Sequence, residues 1–210
     1  MLKKCLNDFE IGIDEAGRGP LIGRVYAGAV LWGSNTNDCD LIIDSKKLSA
    51  KKRAEALKWI KSNVQAWGVG WAEPDEIDKI NILEATKLAM ERAIVNLKSK
   101  NETNQLLNTL IIDGIGWEKK FKDYSVKSVI KGDSTYLSIA AASIIAKEYH
   151  DDYIKQLCKD NSELNQKYSL ESNMGYGTKK HLDGLKLYGN SQYHRISFKP
   201  CCNYIKKIDV

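Results

Sequence analysis

An α/β protein is what this chain of 210 residues predicts: a mixed sheet with helices packed on it and a small helical part at the C-terminal end. Three observations point there. Short segments of β-branched or alternating apolar residues come early and mostly consecutively, at 11–13, 25–31 and 64–71. Two further apolar runs, 107–112 and 126–130, alternate with helical patterns. Two long stretches, beginning at Asn81 and Leu137, carry small and apolar residues at helical spacing.

Each element has its own local reason. Ile11-Gly12-Ile13 and the run 25–31 alternate as strands do, and Gly17-Arg18-Gly19-Pro20 supplies turn chemistry between them. Ser49 reads as the cap of a basic helix running through Leu57. The alternation at 64–71 predicts a strand. Asn81 can cap a long helix in which Ile82, Ala85, Ala89, Ala93 and Leu97 share one face. The polar stretch 98–105 predicts a loop. The run 107–112 ends at Asp113-Gly114, as a buried strand does when its C-terminal end meets a site. A short strand at 126–130 leads into Lys131-Gly132-Asp133. From Leu137 to about Leu157 the pattern is helical, with Ala140, Ala141, Ile144 and Ile145 as a tightly packing face, and 179–188 predicts one more helix. Without repeats or a Pro/Ser-rich linker, 1–210 reads as a single domain, with about 160–210 as a helical appendage.

Composition sets the outer limits. With 43% apolar and 28% charged residues, 15 glycines and 3 prolines, the chain is neither collagen-like nor dominated by disorder. Its longest apolar stretches, 26–32 and 139–146, fall far short of the roughly 20 residues that span a bilayer. Lys3 and Lys4 have no apolar region behind them, so neither a membrane protein nor a secretory signal is expected. The net charge of +5 is compatible with a phosphate-backbone partner, and equally with ordinary surface lysine. Five cysteines without a C-x-x-C pair, and three histidines scattered at 150, 181 and 194, argue against structural zinc and for a reducing, cytoplasmic setting.

The candidate chemistry lies in four acids that end or interrupt apolar segments: Asp14, Glu15, Asp113 and Asp133. Taken singly, each reads more simply as an acid that starts a loop. As a set delivered to strand ends, they are what hard divalent cations require, since Mg²⁺ takes oxygen ligands, with a few carboxylates completed by water and substrate phosphate. Two such ions about 4 Å apart can activate a water and stabilise the leaving oxygen of a phosphodiester. Neighbouring strand residues face opposite ways, so Asp14 and Glu15 can serve one site only if the strand ends there or the following glycines bend it. The glycines around Arg18 would let backbone groups approach a ligand closely.

These residues carry a resemblance. Asp14-Glu15-Ala16-Gly17-Arg18-Gly19-Pro20 is similar to the signature of the type 2 ribonuclease H family, ribonuclease HII. The similarity continues in family order through Asp44-Ser45-Lys46-Lys47-Leu48-Ser49, Asn81-Ile82 with Ala85-Thr86-Lys87, Ile112-Asp113-Gly114, Lys131-Gly132-Asp133, Ala141-Ala142-Ser143-Ile144-Ile145-Ala146-Lys147, Gly175-Tyr176-Gly177-Thr178 with His181-Leu182, and His194-Arg195-Ile196-Ser197-Phe198. The resemblance implies a ribonuclease H-like fold: a central five-stranded mixed sheet flanked by helices, with a helical C-terminal part. It implies cleavage, dependent on Mg²⁺ or Mn²⁺, of the RNA strand of RNA–DNA hybrids. It also implies incision 5′ of single ribonucleotides in duplex DNA, leaving 3′-hydroxyl and 5′-phosphate ends. Asp14, Glu15, Asp113 and Asp133 match the catalytic, metal-coordinating carboxylates. Gly17, Arg18 and Gly19 match the loop whose backbone reads the ribose 2′-hydroxyl, and Tyr176 the ring that packs on the following sugar and checks that it is deoxy. Lys47, Ser138 and Ser143 fall in segments that hold phosphates. The chain is expected to work as a monomer.

Three positions depart from the family pattern. Arg24 stands where proline is usual, Met174 where lysine is usual, and His150 where arginine is usual. The last two each remove a positive charge that could touch phosphate. Asp151 and Asp152 read as a structural or solvated pair, Trp32, Trp67, Trp71 and Trp117 as core or sheet-surface aromatics, and His181 and His194 as capping or packing groups. The segment 46–53 is expected to touch phosphate through Lys46 or Lys47. The sister type, ribonuclease HIII, carries an extra N-terminal substrate-binding domain, and with only about ten residues before the first strand here it is expected to be the weaker reading. A binding protein that kept the fold but lost activity would not need all four acids.

Overall fold

Five strands form one sheet in the computed structural model, which describes residues 2, 9–101 and 107–204. They are β1 (Glu10–Ala16), β2 (Val25–Leu31), β3 (Ala66–Ala72), β4 (Thr109–Asp113) and β5 (Ser125–Val129), ordered β3-β2-β1-β4-β5. The pairs β1–β2 and β2–β3 are antiparallel, whereas β1–β4 and β4–β5 are parallel. The sheet is therefore mixed, as the sequence predicts. Among the described residues six α-helices accompany it: α1 (Ala50–Asn63), α2 (Pro74–Lys98), α3 (Leu137–Asp160), α4 (Ser162–Tyr168), α5 (Leu170–Asn173) and α6 (Lys179–Tyr188).

Side-chain alternation divides the sheet between two helical layers. Ile11 and Ile13 of β1, Val25, Ala27, Ala29 and Leu31 of β2, and Leu110 and Ile112 of β4 pack under α2, against Ala85, Ala89, Met90 and Ala93. On the other face Val30 meets Ile60 of α1 and Ala140, Ala141 and Ile144 of α3. With both faces covered, every residue of β2 is buried, so the alternation expected for it sorts residues between two helical layers and not between core and solvent. On the α3 face the backbones come very close. A Cβ added at Gly28 would stand 2.2 Å from the Ala142 carbonyl oxygen, and one at Gly12 would stand 2.5 Å from the Ser138 Cβ.

The helix expected to start at Asn81 starts earlier. Pro74 occupies the first turn, and Glu73 and Glu76 form a capping box. Asn81 nevertheless caps: at φ 68° it breaks the helix in two, and its Oδ1 accepts the N–H groups of Leu83 (2.9 Å) and Glu84 (3.2 Å). The apolar periodicity belongs to the second piece alone, which is why the first escaped it. Ser49 caps α1 as predicted, accepting the Lys52 N–H at 3.3 Å. Lys98, expected in a loop, closes α2, while 102–106, like Lys3, Lys4 and Cys5, lie outside the described residues. Helices α4 and α5 are too short to show a period, and the sequence does not announce them.

A separate apolar cluster holds the C-terminal helices. Leu164, Tyr168, Leu170 and Leu185 pack on Ile154 and Leu157 of α3 and on Leu21 and Ile22, which follow the glycine turn. Asp151 is structural. It accepts from Arg53 Nη2 (3.1 Å) and Lys147 Nζ (2.7 Å), while Arg53 Nε donates to Glu148 (2.6 Å), tying α1 to α3; Asp152 is exposed. Trp32 and Trp117 are buried, and Trp71 lies at the sheet surface with the Arg24 guanidinium 5.1 Å from its ring centre. Among the described residues no helix is long and apolar enough to cross a membrane, and Cys39, Cys158, Cys201 and Cys202 are free.

Candidate active site

Strands β1 and β4 run parallel, so their C-terminal ends come out together, and a cavity of about 410 Å³ opens there. Asp14, Glu15 and Asp113 border it. So do Gly17, Arg18, Gly19 and Tyr176, with Ser45, Lys46, Ser143 and Lys147 completing the wall. Alternation places Asp14 on the α3 face with Gly12, and Asp113 on the same face with Ile111. Glu15 has the opposite parity. It reaches the cavity because β1 stops one residue later, and its Oε1 accepts from Arg18 Nη1 at 3.1 Å.

The acids are poorly compensated. Burial pushes the Asp14 carboxyl well above its ordinary range, and the charges of Glu15 and Asp113 push it further. The Glu15 N–H, at 2.7 Å, and the Ser143 hydroxyl oppose this only in part. Burial also raises Glu15 against the pull of Arg18. Asp113 is raised by burial and by Asp133, with the Gly132 N–H (2.7 Å) and Lys46 acting the other way. Asp133 itself is buried in the turn Gly132–Ser134, next to Asp113 but not on the cavity wall. Crowded carboxylates short of positive charge are the donor chemistry that suits a hard divalent cation. Among the described residues no three acidic, histidine or cysteine side chains already converge as a cluster that could hold one. Glu15 is turned to Arg18 and Asp113 to Gly132.

The other expected residues divide. Ser143 borders the cavity and shares a 2.8 Å hydrogen bond with Ser45. Of the paired lysines, Lys46 rather than Lys47 lies on the wall. Ser138 is fully buried over Gly12, which keeps its hydroxyl from any phosphate. Lys147, inside a motif of the resemblance but given no role there, also borders the cavity, because its position four residues after Ser143 puts it on the same helical face. His150 corrects an expectation. It is 1% exposed beneath Gly17 and hydrogen-bonded to Asp151 (3.1 Å), so position 150 faces the interior and not a phosphate. Burial lowers the His150 pKa, which favours the neutral ring. Met174 is half-buried, packed against the C-terminal cluster.

Tyr176 is presented by a left-handed pair, Met174 (φ 49°) and Gly175 (φ 84°). A Cβ on Gly19 would lie 3.1 Å from its ring. Behind it, the Tyr176 carbonyl accepts from His181 Nδ1 (3.0 Å), and His181 Nε2 lies 3.0 Å from His194 Nε2. Burial lowers both histidines, His194 from 6.5 to about 3. A lowered histidine stabilises the fold above the unfolded value of 6.5, and that stability is lost as pH falls towards 3, because only the unfolded chain takes up the proton. At pH 5 the His194 share is about 2 kcal/mol. Urea unfolding at pH 7 and pH 5 should show the parent losing about that much more than His194→Phe; parallel losses would remove the histidine from this role.

Comparison with known proteins agrees with this geometry. The family model described as "Ribonuclease HII" matches residues 11–201. Ribonuclease HII of Bacteroides fragilis is 46% identical over 200 residues, covering 94% of each chain. Ribonuclease HII of Rickettsia akari is 48% identical over 200 residues, covering 95% of each. The crystal structure of ribonuclease H2 from Pyrococcus horikoshii superimposes with a TM-score of 0.69 at 25% identity, over 93% of this chain and 96% of that one. A match spanning nearly all of the sheet and the cavity walls shows that the chain belongs to the ribonuclease HII family of hydrolytic endoribonucleases.

Proposed function

We propose that the chain is a metal-dependent endonuclease that cuts the RNA strand of RNA–DNA hybrids and incises 5′ of single ribonucleotides in duplex DNA, leaving 3′-hydroxyl and 5′-phosphate ends. Such an enzyme serves ribonucleotide excision and RNA primer removal. The observation that carries this reading is one cavity bordered by the three acids Asp14, Glu15 and Asp113, by the glycine loop and by Tyr176, whose ring lies where a Cβ on Gly19 would meet it. Mg²⁺ or Mn²⁺ bound to Asp14, Glu15, Asp113 and Asp133 would supply an activated water and stabilise the leaving oxygen. The protein's own groups do the rest. Lys46 and Lys147 bring positive charge to the wall where the scissile phosphate lies. The backbone of Gly17, Arg18 and Gly19 meets the 2′-hydroxyl, the group that distinguishes RNA from DNA. Tyr176, 44% exposed, packs on the next sugar, where a bulkier ribose fits worse than deoxyribose. The helices from about 160 onward complete the substrate site by carrying this ring.

Three substrates test the reading side by side with Mg²⁺: a DNA duplex with one ribonucleotide, the same duplex without it, and a uniform RNA–DNA hybrid. The first and third should be cut and the second spared. Tyr176→Ala should lose about tenfold to a hundredfold on the single ribonucleotide, by analogy with base stacking, and less on the hybrid. An enzyme that cuts the hybrid and ignores the embedded ribonucleotide would have the substrate range of the sister type.

A further inference from the structure

Arg195 lies 0% exposed behind the glycine loop, and no carboxylate accepts a hydrogen bond from it. Its five N–H groups all go to carbonyl oxygens: Nε to Gly23 (2.9 Å), Nη1 to Arg18 (3.1 Å) and Pro20 (2.8 Å), Nη2 to Gly17 (2.7 Å) and Arg24 (3.0 Å). Burial lowers its pKa only to about 10, so the guanidinium stays charged at neutral pH.

That arrangement has a directional consequence. A trans peptide carries its C=O and the following N–H on opposite sides. Turning the Gly17 and Arg18 carbonyls back to the guanidinium therefore turns the Arg18 and Gly19 N–H groups away from it, to the side where the loop borders the cavity. Neither of those N–H groups has a hydrogen-bond partner among the described residues. They form a pair of free donors, suited to a hydroxyl oxygen or an anion.

The neighbouring residue holds the other side. His181 Nδ1 must donate to the Tyr176 carbonyl, which leaves its Nε2 as the acceptor of the His194 Nε2–H. His194 Nδ1 in turn accepts from the Ser191 N–H at 2.9 Å. The segment is pinned to the loop by Arg195 N–H donating to the Leu21 carbonyl and by Gly23 N–H donating to the Tyr193 carbonyl, both at 2.9 Å. The Leu21 N–H reaches across to the Gly175 carbonyl at 2.9 Å.

We infer that His194 and Arg195 are positioning residues. Arg195 aims the loop's free N–H donors at the ribose, and His194, through His181, sets Tyr176 against the loop, so the dipeptide fixes the gap in which the ribonucleotide junction is read. This rests on the proposed junction-reading function and adds residues that do not line the cavity.

The test compares kcat/KM on the embedded ribonucleotide and on the uniform hybrid for the parent, Arg195→Lys, His194→Phe and His194→Gln, with folding checked by circular dichroism. Lysine has one nitrogen and cannot serve five carbonyls, so Arg195→Lys should lose about a hundredfold on both substrates. His194→Phe keeps the shape and loses the link, so it should fall about tenfold on the embedded ribonucleotide and under about threefold on the hybrid. His194→Gln, whose amide can still donate to His181, should restore most of the ratio. A folded His194→Phe with an unchanged ratio overturns the inference, as does a glutamine variant no better than phenylalanine. Should Arg195→Lys not fold, the two His194 variants decide. A parent enzyme that ignores the embedded ribonucleotide overturns the junction-reading function itself, whereas a parent that cuts it beside variants that do not shift the ratio overturns the positioning role alone.

Discussion

Asp14→Asn is expected to reduce cleavage by at least about a thousandfold and, in metal-free buffer, to raise thermal stability. Both effects come from the same burial. Asp14 is 6% exposed, faces the charges of Glu15 and Asp113, and has its carboxyl pushed well above the ordinary range. An acid whose folded pKa is raised is a cost to the fold at neutral pH. That cost fades as pH falls through the folded value towards the unfolded one, because the folded state then binds the proton more tightly. Asparagine removes the charge and keeps an oxygen for the Glu15 N–H. Each kcal/mol relieved should lift Tm by roughly 2–4 °C in a chain of this length. Melting curves in EDTA, with cleavage assays in Mg²⁺, check the pair of effects. A variant that melts below the parent would contradict the electrostatic account, and one that cuts at a near-normal rate would remove Asp14 from the chemistry.

Gly28→Ala should destabilise the protein by about 3 kcal/mol and impair cleavage as well. Gly28 pairs with Asp14 across β1 and β2, and the Ala142 carbonyl of α3 already fills the place of its missing side chain. The new methyl meets backbone rather than a side-chain tip that could swing aside. Helix α3 must lift, and it takes Ser143 and Lys147 away from Asp14 and the cavity wall. Urea unfolding gives the stability loss, and a loss below about 1 kcal/mol would show that α3 yields cheaply.

Much of this was legible before any coordinates. Strands covered on both faces leave apolar runs, whether antiparallel like β2 or parallel like β4, so both stood out, and Asp113 could be assigned to a strand end. Asp14, Glu15 and the glycine turn are adjacent in sequence and Asp113 ends an obvious strand, so most of the residues that border the cavity could be anticipated. The first piece of α2 could not be found by periodicity, because its start is written in Pro74 and the acidic residues after it. Ser138 and His150 show the converse: both belong to segments that resemble substrate-binding ones, but their position on α3 turns them inward, beneath Gly12 and Gly17. Arg195 stood in a motif of the resemblance, but nothing local gave it a role. Its acceptors are backbone carbonyls more than 170 residues away, and a carbonyl has no residue type to read.

That separation bears on how the protein is made. The four acids are all in the chain by residue 133, whereas Arg195 and His194 come near its end. Bonding Arg195 to Gly17 joins residues 178 positions apart, so it can form only after residue 195 has been added to the chain. On the ribosome, the acidic centre is thus synthesised well before the loop behind it can be anchored. A chain that terminates before residue 195 carries all four acids but lacks the guanidinium that bonds the carbonyls of Gly17, Arg18, Pro20, Gly23 and Arg24.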